Sequence, residues 1–373
     1  MKIGKTNNIS DAKGRTVLLP SHAVLKDCSW IFENDEIIGG FCQTNAWAEI
    51  VKEIDGHESY WVQIGNRQLL PAGVLVTHKK HKGANKGQSW REFLFSYIAP
   101  YPSLEINDGP ILVGSEKAKS LSALLGEVED LAMRLHVQEI RFNGLLATND
   151  CYRTKEIREI FRNNEYNEIE WSTSLVDLRK EEEEIFKSFK HATRKGIRKC
   201  EKSGVEVAEC KSLEAISGLF CEGYADGDAD SPIFKRVRLT WEVDGGRHYR
   251  FFVAKDAAGR VLATLGTYSF NGLATEIMSH RTKESFEDNL PAQDLLHWEI
   301  FKAHKAAGDI SFNLAGYSPD PATPKQAGIR RFKEKWGGRE VSVPKFVKRF
   351  PSLSQRAWGL LKTRRLPSAG VGS

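Results

Sequence analysis

Two short phrases, Phe-Asn-Gly-Leu-Leu at Phe142–Leu146 and Phe-Asn-Leu-Ala-Gly at Phe312–Gly316, stand 170 residues apart in a chain of 373. Each closes the same local pattern: an amphipathic helix, a polar junction and a short apolar strand. Leu121–Leu135 runs into Ile140-Arg141-Phe142-Asn143, and Leu295–Ala307 runs into Ile310-Ser311-Phe312-Asn313. Solenoid units are roughly 20–50 residues long, so a period of this size fits two copies of a whole domain. Two such domains build a cleft between them, and clefts are where ligands bind.

The length also fits about two domains. The hydrophobic share is 40%, ordinary for a globular protein. No apolar run reaches the roughly 18 residues of a membrane span, and Met1–Asp11 is polar, with no secretory h-region. These features predict a cytoplasmic protein. Six cysteines without a Cys-x-x-Cys pair, and ten histidines without a His-Glu-x-x-His spacing, predict reduced thiols and no metal site. The net charge of +5 is uneven. Pro344–Ser373 carries seven basic residues and no acid, so the rest of the chain is −2.

Periodicity predicts a helix over Gln43–Glu53, and a hairpin of Tyr60–Ile64 and Leu69–Thr77 turning at Gly65-Asn66. A loop over His78–Gln88 and a strand over Phe93–Ile98 follow. Gly109-Pro110 reads as a turn into a strand at Ile111–Val113, and Tyr152–Asn164 as a helix. Ser172–Leu178 reads as a strand, and Glu181–Ser203 as one long helix closed by Gly204. Val205–Val207 reads as a strand and Leu213–Tyr224 as a helix. A three-strand meander follows at Tyr249–Ala254, Arg260–Phe270 and Leu273–Ser279, its second turn marked by Asn271-Gly272. Pro324–Trp336 reads as a helix and Val341–Val347 as a last strand. This is an α+β layered order, and the order of the N-acetyltransferase-like (GNAT) fold. The reading is two GNAT-like domains in tandem, 1–170 and 171–347, joined near Asn167–Ser174 and forming an interdomain cleft. A basic tail, 348–373, follows.

Three stretches resemble the Fem-type aminoacyl transferases, which build peptidoglycan interpeptide bridges, and their GNAT-like relatives. They are Arg194-Lys195-Gly196-Ile197-Arg198-Lys199 with Ser203-Gly204-Val205; Asn289-Leu290-Pro291-Ala292-Gln293-Asp294 leading to Ala307-Gly308; and Gly328-Ile329-Arg330-Arg331-Phe332-Lys333 with Trp336-Gly337-Gly338. Gln43 with Trp47 is similar to the family's opening helix. The resemblance covers nearly the whole chain to about Val347. Two features depart from it: Val205–His248 leaves no room for a coiled-coil arm, and the basic tail is not part of the pattern.

In the resembled family the matching Phe-Lys lies in the active site, which implies a catalytic role for Phe332 and Lys333. A fixed ammonium can stabilise the oxyanion formed as an amine attacks an ester. The alternative is a surface helix, since Lys325, Arg330, Arg331 and Lys335 are close by. His280, past the third meander strand, is a candidate base, although a lone histidine is more often structural. Between Lys187 and Lys202 there are seven Lys/Arg against Glu201 alone. Arg194 and Arg198 share a face that could hold phosphates, or could simply complement the helix dipole. Asn289 opens a stretch, Glu287-Asp288-Asn289-Leu290-Pro291, that lacks the glycines of a pyrophosphate loop and carries two acids, which argues against acetyl-CoA. Asn313 and Tyr317 are substrate-binding candidates by position at a strand end.

The sequence thus predicts an N-acyltransferase. It would move an aminoacyl or other acyl group to an amine of a nucleotide- or lipid-linked cell-envelope precursor, without a covalent enzyme intermediate. The resemblance implies aminoacyl-tRNA as donor and no resident cofactor. One alternative is a CoA-dependent acyltransferase of a sugar amine or amino acid. A second is a non-catalytic module that binds RNA or a glycan. The tail, with Phe346, Phe350, Leu353 and Trp358 among its bases, suits either a disordered segment or peripheral contact with the inner membrane surface.

Overall fold

The computed structural model describes residues 19–20, 40–66, 69–79, 102–112, 115–143, 154–225 and 232–350. The first unit contains β1 (Leu19–Pro20), α1 (Asn45–Asp55), β2 (Glu58–Asn66), β3 (Leu69–Lys79), β4 (Ser103–Asn107), β5 (Ile111–Leu112), α2 (Lys117–Arg134), β6 (Glu139–Asn143), α3 (Lys155–Asn163) and β7 (Asn167–Ile169). The second begins with β8 (Ser172–Asp177), α4 (Glu182–Ser188), α5 (His191–Lys202) and β9 (Glu206–Cys210). A helical run through Leu213–Ala215, Ile216–Phe220 and Cys221–Ala225 precedes α6 (Pro232–Asp244). The meander β10 (Tyr249–Lys255), β11 (Val261–Phe270) and β12 (Leu273–Arg281) follows, then α7 (Lys283–Glu287), α8 (Ala292–Ala306), β13 (Ser311–Tyr317), α9 (Pro324–Glu334), β14 (Arg339–Ser342) and β15 (Lys345–Arg349).

The repeat is visible in the strand pairing. β4 and β6 are parallel, with Ile106 opposite Phe142 and Asn107 opposite Asn143. β12 and β13 are parallel, with Ala274 opposite Phe312 and Thr275 opposite Asn313. Both Phe-Asn phrases therefore hold the same place, and in both units the residue after the last parallel pair is an acid: Asp108 in the first, Glu276 in the second. Each phenylalanine is fully buried under its unit's long helix. α2 places Leu121, Leu124, Leu125, Val128 and Leu131 over the first sheet at helical spacing. α8 places Leu295, Leu296, Ile300 and Phe301 over the second.

The final strands depart from the single strand expected at Val341–Val347. β14 pairs with β8 in the second sheet, but β15 crosses over and enters the first sheet between β6 and β7. There Phe346 stacks on Phe161, ring centroids 4.0 Å apart. The exchange is mutual, because Phe41 and Ile50 of the first half pack into a cluster with Ile216, Phe220, Val237, Tyr249 and Phe251 of the second. Arg236 bonds Asp55 at 2.6 Å across the same seam.

Other expectations are corrected in detail. The helix expected over Glu181–Ser203 breaks at Phe189, whose backbone is extended. The break lets Phe189 bury among Trp298, Phe301 and Trp336. Gly65-Asn66 lies within β2 at a register shift, not at the hairpin turn. β3 extends to Lys79, so the expected loop starts later. Its remainder and the strand expected at Phe93–Ile98 lie outside the described residues. β4 and α6 were not foreseen. Asn271 (φ 50) and Gly272 (φ 72) do form the turn between β11 and β12, and Gly204 (φ 70) does close α5.

Candidate functional site

β12 and β13 part after Thr275 and Asn313. β12 stays with β11 as far as Arg281, while β13 leans on β8. The result is a wedge between two strands whose facing edges are unpaired. β13 is kinked in the wedge: its register with β8 shifts between Asn313 and Gly316, and Ala315 sits at φ 61. The Asn313 side chain closes this bulge, because its Oδ1 accepts from Ala315 N at 3.0 Å and from the Thr173 hydroxyl. Bulges re-aim the groups around them, and here they turn two carbonyls toward α9.

Lys333 receives them. Its ammonium donates to the carbonyl oxygen of Leu314 and, at 3.3 Å, to that of Gly316. Lys333 is 7% exposed, which sets aside the alternative of a surface lysine. Burial pushes its ammonium down to about 8, with the Glu276 carboxylate holding back part of the fall. An ammonium has three N–H donors. Two serve the bulge, and the third has no acceptor among the described residues. Phe332 sits beside it, its ring 5.2 Å from His297 and under the Lys335 ammonium at 4.1 Å.

Two site residues were missed in the sequence, Glu276 and His297. His297 is fully buried. Its Nε2 lies 3.4 Å from Glu276 Oε2, and its Nδ1 lies 2.8 Å from the Gln293 carbonyl oxygen. Burial alone would raise the Glu276 carboxyl, but the hydrogen bond from His297 and the charges of His297 and Lys333 outweigh it and hold it below its usual range. The two acids hold matching places only once the strands are paired: Glu276 follows Leu273-Ala274-Thr275, and Asp108 follows Glu105-Ile106-Asn107 in the first copy.

The other candidates are dispersed. His280 lies four residues further along β12, roughly 13 Å from Glu276 at about 3.3 Å per residue. Arg194 donates to the Lys187 and Phe189 carbonyl oxygens at 2.7 and 2.5 Å, capping α4. Arg198 lies over the Phe186 ring at 5.5 Å. Both line a shallow basic groove along α5 with Lys195, Lys199 and Lys202. Asn289 is exposed at φ 50, and its carbonyl oxygen accepts from Lys199 at 2.7 Å. Tyr317 is buried, and burial together with Glu340 pushes its hydroxyl up to about 12.

The N-terminus of α8 is covered. Gly196 of α5 packs on Pro291 so closely that a Cβ at Gly196 would lie 2.9 Å from the proline Cγ. Asp294, in the first turn, is paired with Lys335 at 2.6 Å. This end of α8 presents a proline and a neutralised carboxylate where an anion site would offer free N–H groups. No cluster able to hold a metal occurs among the described residues, and no helix among them is long and apolar enough to cross a membrane.

No protein-family model and no curated protein matches the sequence. Solved structures do share the fold. FemX aligns with a TM-score of 0.64 at 14% identity, over 90% of this chain and 98% of FemX. L-PGS from Bacillus licheniformis aligns with a TM-score of 0.51 at 12% identity, over 91% of this chain and 95% of its own. A tandem GNAT protein from the clavulanic acid biosynthesis pathway aligns with a TM-score of 0.52 at 10% identity, over 89% and 98%. The chain thus has the fold of two GNAT-like units in tandem.

Proposed function

We propose that this protein is an N-acyltransferase. It moves an aminoacyl group, or another acyl group, from an ester donor to an amine of a cell-envelope precursor. The observation that carries the reading is the buried Lys333 ammonium, held by the β13 bulge with one N–H not used by it. A fixed, desolvated cation of this kind stabilises the oxyanion that forms when an amine attacks an ester carbonyl. Glu276, at the point where the two strands part, takes the proton lost by the attacking amine. The tetrahedral intermediate collapses, the C–O bond breaks, and the proton passes to the departing alkoxide. The C–N bond is complete and no group on the protein is acylated.

The closed end of α8 supports a donor other than acetyl-CoA, and the resemblance to the Fem-type enzymes supports aminoacyl-tRNA. Similarity in fold to FemX and to L-PGS agrees with this donor class, although fold alone does not fix a reaction. The test is thermal stabilisation of the whole chain by acetyl-CoA and by a nucleotide-linked muropeptide. A shift with the muropeptide alone supports the reading and leads to a transfer assay with aminoacyl-tRNA. A shift with acetyl-CoA alone overturns the donor and favours a CoA-dependent transferase. Unchanged transfer by Lys333→Met removes the central residue.

A further inference from the structure

His297 makes no use of solvent, so its hydrogen bonds must explain its protonation. Nδ1 faces a backbone carbonyl, which only accepts, so Nδ1 carries a hydrogen. With the Gln293 amide turned about, its Oε1, otherwise buried without a partner, also meets that N–H. The Gln293 side-chain nitrogen is 3.5 Å from Nδ1, and its oxygen is the better neighbour for a donor. In a neutral ring Nε2 would then point a lone pair at the Glu276 carboxylate, 3.4 Å away. Two lone pairs facing each other in a buried site repel, and a proton between them removes the conflict.

The surroundings favour a charged ring. Trp336 lies against one face of the imidazole, centroids 4.9 Å apart and planes 19° from parallel, a geometry that suits a cation over an indole. The groups that touch the ring are Glu276 from β12, Phe332 from α9, Trp336 after it, and Gln293 and Phe301 from its own helix, while the Lys333 ammonium acts on the Glu276 charge. Lys335 and Asp294 nearby neutralise one another. Glu276 is therefore the anion that His297 and Lys333 share.

We propose that His297 is a positioning residue, an imidazolium that donates from Nδ1 to the Gln293 carbonyl and from Nε2 to Glu276. It thereby holds the carboxylate ionised, with its other oxygen directed to the Lys333 side of the wedge. This role rests on the transfer reading above. In that reading Glu276 receives the amine proton, and His297 fixes which oxygen receives it while never touching substrate. With both ring nitrogens engaged, the imidazolium serves as a fixed counter-charge.

The experiment needs no substrate. The full chain is labelled with ¹⁵N-histidine and ¹³Cε-lysine and observed by long-range proton–nitrogen and proton–carbon correlation. The expected result is that His297 shows hydrogens on both ring nitrogens. In Glu276→Gln it should become the neutral tautomer with hydrogen on Nδ1. In His297→Gln, Glu276 loses its partner and turns to Lys333, so the Lys333 titration should move upward from about 8. A bare Nδ1 in the native protein, or a ring unchanged by Glu276→Gln, overturns the proposal. If His297→Gln does not fold, Glu276→Gln alone decides. These spectra are independent of any transfer assay, so a failure of the acyl-transfer reading remains separate. With an assay in hand, His297→Gln should lower kcat about tenfold or more at unchanged KM.

Discussion

Gly196 on α5 and Pro291 ahead of α8 are in van der Waals contact with no room for another carbon: a Cβ on the glycine would sit 2.9 Å from the proline ring. The contact seals the helix end where a GNAT-type loop would receive a pyrophosphate. Acetyl-CoA is therefore expected to leave the melting temperature unchanged. Gly196→Ala should cost about 1–3 kcal/mol by overpacking, measured by urea unfolding, since Pro291 cannot swing aside as a flexible side chain would.

Lys333 gives a pH signature. Its folded value of about 8 lies below the ordinary 10.5. Between those two values the unfolded chain binds the proton more than the folded one does, so this residue makes stability rise with pH there. The rise is at most on the order of 3 kcal/mol, and Lys333→Met should abolish it. Transfer should run the other way and weaken as pH rises through about 8, because the oxyanion needs the ammonium. Lys333→Met should lower kcat by about 10²–10³.

An acid-side effect belongs to Glu209 and Arg250. Burial would raise the Glu209 carboxyl, but hydrogen bonds from Arg250 (2.8 and 2.9 Å) and from Lys211 bring it down to about 2. The stability it contributes is whole above about 4.5 and is lost as pH falls toward 2. Unfolding in guanidinium across that window should show a loss of up to about 3 kcal/mol, and Glu209→Gln should flatten it.

Phe346 is fully buried in the first unit's core. Phe346→Ala should cost about 3–5 kcal/mol. The loss should show first as faster hydrogen exchange in β6, β7 and α3, far from the wedge, although the substitution lies near the end of the described chain.

Much of the fold was legible because it rests on short-range signals. The periodic apolar face of α2 and the Asn271-Gly272 turn each announce themselves within a few residues. The repeated Phe-Asn phrase located the strand after the long helix in each unit, since burying that phenylalanine under a helix is the same problem in both; its parallel partner β4 left no such mark. What escaped depends on distant partners. Nothing local to Phe189 says that it prefers the company of Trp298 and Trp336 to a continuous helix. Lys333 was legible only through resemblance, as Arg330, Arg331 and Lys335 crowd it in sequence and its carbonyl partners lie on a bulge nineteen positions earlier. Glu276 and His297 stand 21 residues apart, with no spacing that marks them as a pair.

The crossing of β15 also bears on how the protein is made. Roughly 200 residues separate β6 from the strand that pairs with it, about 10–40 s of synthesis at typical rates of about 5–20 residues per second. Throughout that interval β6 and β7 present open edges, the kind that recruit wrong partners. The half of the chain that leaves the ribosome first is thus the last to be completed, and a nascent chain stalled short of Lys345 cannot pass as a finished domain.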